Sequence, residues 1–291
     1  MRARRAGIGS RVGPSTKRRL LVAGCSVLAL VGMALAPAAA SAWAPASQAP
    51  VHPGVMTFTQ GAQCTSNFVF TQGSNVYLGQ AAHCSGTGDQ VNADGCDSGS
   101  LPIGTPVRVA GASRQGTLVY NSWRTMQAKG ETNANVCAYN DFALVKINPA
   151  DVGRVNPSVP GFGGPTGVGG AGGLGSTVYS YGNSSLRGGV TKLSPKQGVV
   201  AENTGGGWNH TVYTATPGIP GDSGSGFLNA SGRAFGVLST LAILPVAGSN
   251  GVGDLGKELA YMRANSSFSG VRLAPGTRPF DPSLAGAILD A

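Results

Sequence analysis

From Met56 to Ile147 the chain alternates short apolar or β-branched runs with clusters of Gly, Asn, Asp and Ser. The runs are Met56–Thr59, Asn67–Thr71, Asn75–Gln80, Pro106–Ala110, Gly116–Tyr120 and Phe142–Ile147. Segments this short, bounded by turn formers, predict the strands of an all-β sandwich or barrel. A second group follows at Thr177–Tyr181, Gly198–Ala201, Thr211–Thr214, Gly226–Asn229 and Ala234–Ser239. Between the groups, nine of the fifteen positions from 161 to 175 are glycine. Such a stretch loses too much backbone entropy on ordering to form a strand or helix. Residues 57–160 and 176–250 therefore read as two β halves joined by a glycine-rich link at 161–175. Helical spacing shows once, at Leu255, Leu259 and Met262, where Asp254 is placed to cap the N-terminus. Residues 251–291 read as this single helix and a tail, poorly ordered or pinned to the surface from Pro275 onwards.

Composition changes the picture mainly by fixing the compartment. Glycine supplies 47 of 291 residues and charged residues only 11%, against roughly 25% in an average soluble domain. That balance suits a turn-rich β domain long enough to bury its own core. The net charge of +9 misleads, because seven basic residues (Arg2, Arg4, Arg5, Arg11, Lys17, Arg18 and Arg19) lie in the first nineteen positions. The remainder holds 14 basic and 12 acidic groups, with no clustered basic surface to neutralise phosphates. Nucleic acid is thereby excluded as a default partner. After the basic segment come an uncharged apolar stretch, Leu20–Ala36, and the small-residue cleavage site Ala40-Ser41-Ala42. Residues 1–42 thus read as a signal peptide, and 43–56, rich in Ala, Pro and Ser, as a linker or short pro-segment. A secreted, extracellular protein follows, with no membrane attachment after signal cleavage.

Removal of Cys25 with the leader leaves Cys64, Cys84, Cys96 and Cys137. An even number in an exported chain reads as two disulfides, with three pairings open. A zinc site at these cysteines and His83 has no C-x-x-C pair and would compete with oxidation. Asp89, Asn92, Asp94 and Gly95 imitate a calcium loop, but Gln90 and Leu101 occupy its first and last ligand positions. No metal and no cofactor are expected.

Three segments carry chemistry: Ala81-Ala82-His83-Cys84, Asn140-Asp141-Phe142-Ala143-Leu144 and Gly221-Asp222-Ser223-Gly224-Ser225-Gly226. A serine hydroxyl is a poor nucleophile at neutral pH. It needs a base, a group that holds the base in one tautomer, and donors where the carbonyl oxygen becomes negative. Chain order then discriminates among folds. The three histidines, His52, His83 and His210, all precede Ser223, which excludes an α/β-hydrolase. No acid precedes Asp89, so a subtilisin order with His83 as base is impossible. His, then Asp, then Ser remains. His210, beside a strand and near no motif, reads as structural.

On these residues the sequence resembles the chymotrypsin/trypsin-like serine peptidases of the secreted bacterial kind. Ala81–Cys84, Asp141–Leu144 and Gly221–Gly224 match the family's three motifs, and the strand pattern extends the likeness over roughly Thr57 to Asn265. The resemblance implies two six-stranded antiparallel β-barrels with a short C-terminal helix, and a polypeptide substrate cut by a monomer. It makes His83 the general base, Asp141 its orienter and Ser223 the nucleophile. The N–H groups of Gly221 and Ser223 become the oxyanion hole, and Ser239 part of the substrate-binding strand. It also implies that Cys84 pairs with Cys64, which leaves Cys96 with Cys137.

Departures matter too. No Ile-Val-Gly-Gly segment is present, which puts in question activation by a new N-terminus pairing with Asp222. Pro217 stands six residues before the nucleophile, where enzymes cutting after Lys or Arg carry an aspartate. Leu241 replaces a glycine that usually keeps the pocket open. A narrow, uncharged pocket for small or medium apolar side chains is expected. A catalytically silent binding module on the same scaffold is the alternative reading.

Overall fold

The computed structural model describes residues 43–87, 94–242 and 248–291, together with Gly9. Apart from Gly9, the signal-peptide reading of residues 1–42 lies outside the described residues. So do Asp89 and Asn92 of the calcium-like loop and the side chain of Leu241.

In the first half the strands are β1 (Met56–Thr59), β2 (Ala62–Thr65), β3 (Val69–Gln72), β4 (Asn75–Gln80), β5 (Pro106–Val109), β6 (Gly116–Asn121) and β7 (Ala143–Lys146). The second half holds β8 (Thr177–Tyr181), β9 (Pro195–Thr204), β10 (Asn209–Thr214), β11 (Gly226–Asn229), β12 (Ala234–Ala242) and β13 (Ser249–Asp254), and β14 (Arg272–Leu273) follows later. One antiparallel sheet of eight strands runs β14-β3-β4-β7-β6-β5-β1-β2; the other six close into a barrel, β10-β13-β12-β11-β8-β9. Each sheet has its own apolar filling. Val69, Leu78, Val107, Leu118 and Val145 pack inside the first, and Val178, Val200, Val212, Phe227 and Phe235 inside the second. β10 shows why: its residues alternate between buried and half-buried along Asn209–Thr214, the period of a strand with one face inward.

A third cluster cements the two sheets to each other. Phe68, Phe70, Phe142 and Leu144 from the first meet Tyr179, Leu228, Val237 and the helical Leu255, Leu259 and Met262. The contact is close enough that a Cβ on Gly226 would stand 2.5 Å from the Phe68 ring. Only glycine fits there.

Three helices correct the expectation of a single one. Besides α3 (Leu255–Asn265), which Asp254 caps through Lys257 N–H at 2.8 Å, there are α1 (Ser122–Lys129), α2 (Ala134–Tyr139) and α4 (Leu284–Asp290). α1 buries only Ser122, Trp123 and Met126, so no long apolar period marks it. Local chemistry makes it instead: Asn121 caps its start, and Gly130, at φ 64°, ends it. β2 also lacks a signal, because Ala-Gln-Cys-Thr holds no large or branched apolar residue and buries only its second half. It forms because Gln60 and Gly61, at φ 46° and 96°, make a tight hairpin back from β1.

The link at 161–175 forms no strand or helix but is firmly seated. Gly167 and Gly169 exchange backbone bonds with Ala234, and a Cβ on Gly163 would meet Pro279 O at 2.0 Å. The tail is pinned in turn: Asp281 N–H donates to Phe162 O at 2.7 Å, and Phe280 stacks edge-on against Tyr179. Segment 43–56 is packed rather than loose. Val51 is fully buried and bridges Val155, because its apolar residues complete the first core.

Candidate active site

His83 sits in a single 3-10 turn, Ala82–Ser85, directly after β4. Two ties fix that turn: Asn121 donates to Ala82 O at 3.0 Å, and a disulfide joins Cys84 to Cys64 of β2. Asp141 lies between α2 and β7, where the second disulfide, Cys96–Cys137, anchors α2. Ser122 clamps the segment on both sides, its Oγ donating to Asn140 O at 2.7 Å and accepting from Phe142 N–H at 3.0 Å. These are the pairings the resemblance implies, and they leave no thiolate for a metal beside His83.

The two side chains meet directly. Asp141 Oδ2 lies 2.6 Å from His83 Nδ1, Oδ1 accepts from His83 N–H at 2.9 Å, and Ser239 Oγ donates to Oδ2 at 2.5 Å. Burial favours a neutral acid at Asp141. The His83 charge and the bonds from His83 and Ser239 outweigh it, and hold the carboxyl below its ordinary 3.8. A carboxylate can only accept, so the His83 proton belongs on Nδ1, and Nε2 is left with a lone pair.

Ser223 follows two residues after Gly221 (φ 94°) and precedes Gly224 (φ 87°), both in the left-handed region that side chains avoid. Its carbonyl accepts from Thr65 N–H at 2.8 Å. A Cβ on Gly224 would stand 2.8 Å from Ala81 N, so the loop is pressed against the residues that lead into His83. Among the described residues, neither Gly221 N–H nor Ser223 N–H makes a hydrogen bond. Ser239 belongs to the same cluster through Asp141. Pro217 does not: it is exposed, and its carbonyl accepts from Arg187 Nη2 at 3.0 Å.

Around Asp222, which the sequence marks, and Asp141 the structure adds Arg187, Lys196 and Glu258, which the sequence does not single out. Asp222 is fully buried and holds Arg187 at 2.6 Å and Lys196 at 3.1 Å, besides accepting from Ser184 N–H and Ile219 N–H. Beneath Asp141, the buried Glu258 of α3 accepts the Asp141 backbone N–H at 3.1 Å. Burial, joined by the charges of Asp141 and Asp254, pushes its carboxyl well above 4.5. The neutral acid is favoured there, where a second anion would oppose Asp141. Arg187 and Lys196 carry no motif, and Glu258 looks like any polar helix position, so nothing local flagged them. His210 is structural: it bridges Asn203 and Asp254 at 2.6 and 3.0 Å.

No protein-family model matches the chain, and neither does any curated protein. Among solved structures it is similar to Thermobifida fusca Protease A, with TM-score 0.49 and 20% identity over 78% of this chain and 99% of that one. It is similar to Cellulomonas bogoriensis chymotrypsin (0.47, 18%, 77% and 98%) and to Nocardiopsis protease (0.46, 19%, 77% and 98%).

Proposed function

We propose that the protein is a secreted serine endopeptidase that cleaves polypeptides through an acyl-enzyme on Ser223. The observation that carries this reading is the 2.6 Å Asp141–His83 contact beside a loop in which, among the described residues, Gly221 N–H and Ser223 N–H bond to no other group. In this reading Ser223 Oγ attacks the scissile carbonyl as His83 Nε2 takes its proton. His83 then gives that proton to the leaving amine, and a water repeats the sequence to release the acyl group. Asp141 holds the ring in one tautomer and stabilises the imidazolium. The negative oxygen of each tetrahedral intermediate is received by Gly221 and Ser223 N–H. The backbone at Ser239 takes the substrate as an added strand. Two disulfides are compatible with an oxidising, extracellular setting, and no described helix is long and apolar enough to cross a membrane. The enzyme acts as a monomer and needs no cofactor.

A fluorophosphonate probe followed by a peptide panel tests the reading. Rapid labelling at Ser223 is expected; folded protein that takes no label would identify a silent binding module instead. Among chromogenic peptides ending in Ala, Val, Leu, Phe, Lys or Glu, the small and medium apolar ends should be cut best. Thr211–Pro220 holds no acid to neutralise a buried cation, and Arg187, bound to Pro217, is drawn to Asp222. A clear preference for Lys or Glu would refute the pocket while sparing the triad.

The pH profile is a second check. Burial opposes the imidazolium, but the Asp141 charge and hydrogen bond prevail and raise His83 above its ordinary 6.5. The neutral ring is the base, so kcat/KM should rise with pH and reach half its plateau above pH 6.5. A midpoint below that value would contradict the His83–Asp141 coupling.

A further inference from the structure

The turn around the nucleophile contains four peptide groups between Pro220 and Gly224, and thus four carbonyls and four N–H groups. Six of these eight are taken: Pro220 O by Ser184 Oγ, Gly221 O by Gln63 and Thr65, Asp222 O by Ser225 N–H, Ser223 O by Thr65 N–H, Asp222 N–H by Ile219 O, and Gly224 N–H by Leu238 O. The two left over are Gly221 N–H and Ser223 N–H. Their holds differ in kind. Each of the two peptides that carry them has one tie among the described residues: for Asp222–Ser223 it is a backbone bond, Asp222 O accepting from Ser225 N–H at 3.0 Å, and for Pro220–Gly221 it is the 2.5 Å bond from the side-chain hydroxyl of Ser184.

That peptide is also the one free to turn over. Its trans amide keeps C=O and N–H on opposite sides, so the direction of the Pro220 carbonyl dictates the direction of Gly221 N–H. Rotation needs changes only in Pro220 ψ and Gly221 φ, and glycine accepts either sign of φ. Proline fixes φ but leaves ψ open. Ser184 is itself well held: it is 2% exposed, its N–H donates to Asp222 Oδ1 at 3.0 Å, and its Oγ accepts from Leu186 N–H at 3.1 Å. A Cβ on Gly221 would come within 2.9 Å of the same Oγ, so the hydroxyl sits directly against the turn.

We propose that Ser184 is a positioning residue for catalysis: its hydroxyl anchors the Pro220 carbonyl and so keeps Gly221 N–H aimed at the developing oxyanion. Ser184 touches no reacting atom; it acts through the peptide it holds. This rests on the peptidase reading, and the two fail separately. A wild-type protein that neither labels nor hydrolyses peptides defeats the reading, whereas the inference is judged on variants of an active wild type.

The test compares Ser184→Ala, Ser184→Thr and Ser184→Val. Thr keeps the hydroxyl at nearly the volume of Val, so that pair isolates the hydrogen bond even if Ala loosens the turn. For Ser184→Ala, kcat on a chromogenic peptide should fall about 10–100-fold, short of the cost of deleting an oxyanion donor outright, with KM within about twofold. Affinity for a peptide boronic acid, whose tetrahedral adduct fills the oxyanion position, should weaken by a similar factor. Ser184→Thr should recover most of both, and Ser184→Val should not. Unchanged kcat and boronate affinity in the Ala and Val variants would overturn the proposal. So would equal losses in Thr and Val, or a loss confined to KM or to melting temperature.

Discussion

Replacing Ser223 with alanine is expected to lower kcat by on the order of 10^4–10^6-fold, and His83→Ala by a similar factor. The double variant should lose little more, because a hydroxyl without its base and a base without its hydroxyl are equally idle. Asp141→Asn should cost about 10^4-fold while preserving the fold. An amide would present a donor to His83 Nδ1, and the ring would have to place its proton on Nε2, where the serine proton must go. The 2.9 Å bond from His83 N–H to Oδ1 could survive on the amide oxygen, so geometry alone would not betray the defect. Steady-state rates, corrected by active-site titration, give the result. Near-normal turnover in Ser223→Ala would remove the nucleophile assignment, and a double variant worse than either single by the product of both losses would contradict their action as one unit.

The largest expected effect on stability lies at Asp222. Its carboxylate is the common partner of Arg187 and Lys196, all three of them buried. Asp222→Ala would leave two cations that, among the described residues, pair with no other anion. Breaking a buried ion pair from one side costs about 3–5 kcal/mol, which for a domain of this size lowers Tm by roughly 2–4 °C per kcal/mol. A drop of roughly 6–20 °C is therefore expected by calorimetry. The loss should shrink in alkaline solution. Burial already pushes Lys196 down to about 8, against the pull of Asp222. Between that value and the ordinary 10.5 the unfolded chain binds more protons, so this group favours the fold increasingly as pH climbs through the window. With the aspartate gone, the lysine can shed its charge, whereas Arg187 cannot. Asp222→Ala with Lys196→Met should therefore melt above the single variant at pH 6. An unchanged Tm in Asp222→Ala would mean that the three charges are not interdependent.

The sequence exposed what is written locally and hid what depends on distant neighbours. β1, β4, β8 and β11 begin and end at the residues their apolar runs marked, since each is bounded by turn formers. β13 was not seen, because Ser-Asn-Gly-Val-Gly-Asp looks like a loop. Its glycines are dictated by packing: a Cβ on Gly253 would meet Glu258 Oε1 at 2.6 Å, and one on Gly251 would meet Thr240 Oγ1 at 2.4 Å. The same division runs through the site. His83, Asp141 and Ser223 each stand in a short stretch whose composition suits the chemistry. Ser184, Arg187, Lys196 and Glu258 gain meaning only from residues 26 to 117 positions away, as Lys196 does from Asp222 and Glu258 from Asp141.

β2 gathers several of these holds into four residues. Gln63 and Thr65 grip the turn around Ser223 at Gly221 O, and Cys64 between them is bonded to Cys84, the neighbour of His83. One covalent link thus ties the strand that shapes the serine turn to the residue beside His83. On the peptidase reading proposed above, oxidation of this one bond sets base and nucleophile in register, so a chain with Cys64 and Cys84 reduced lacks a covalent tie between the two halves of its chemistry.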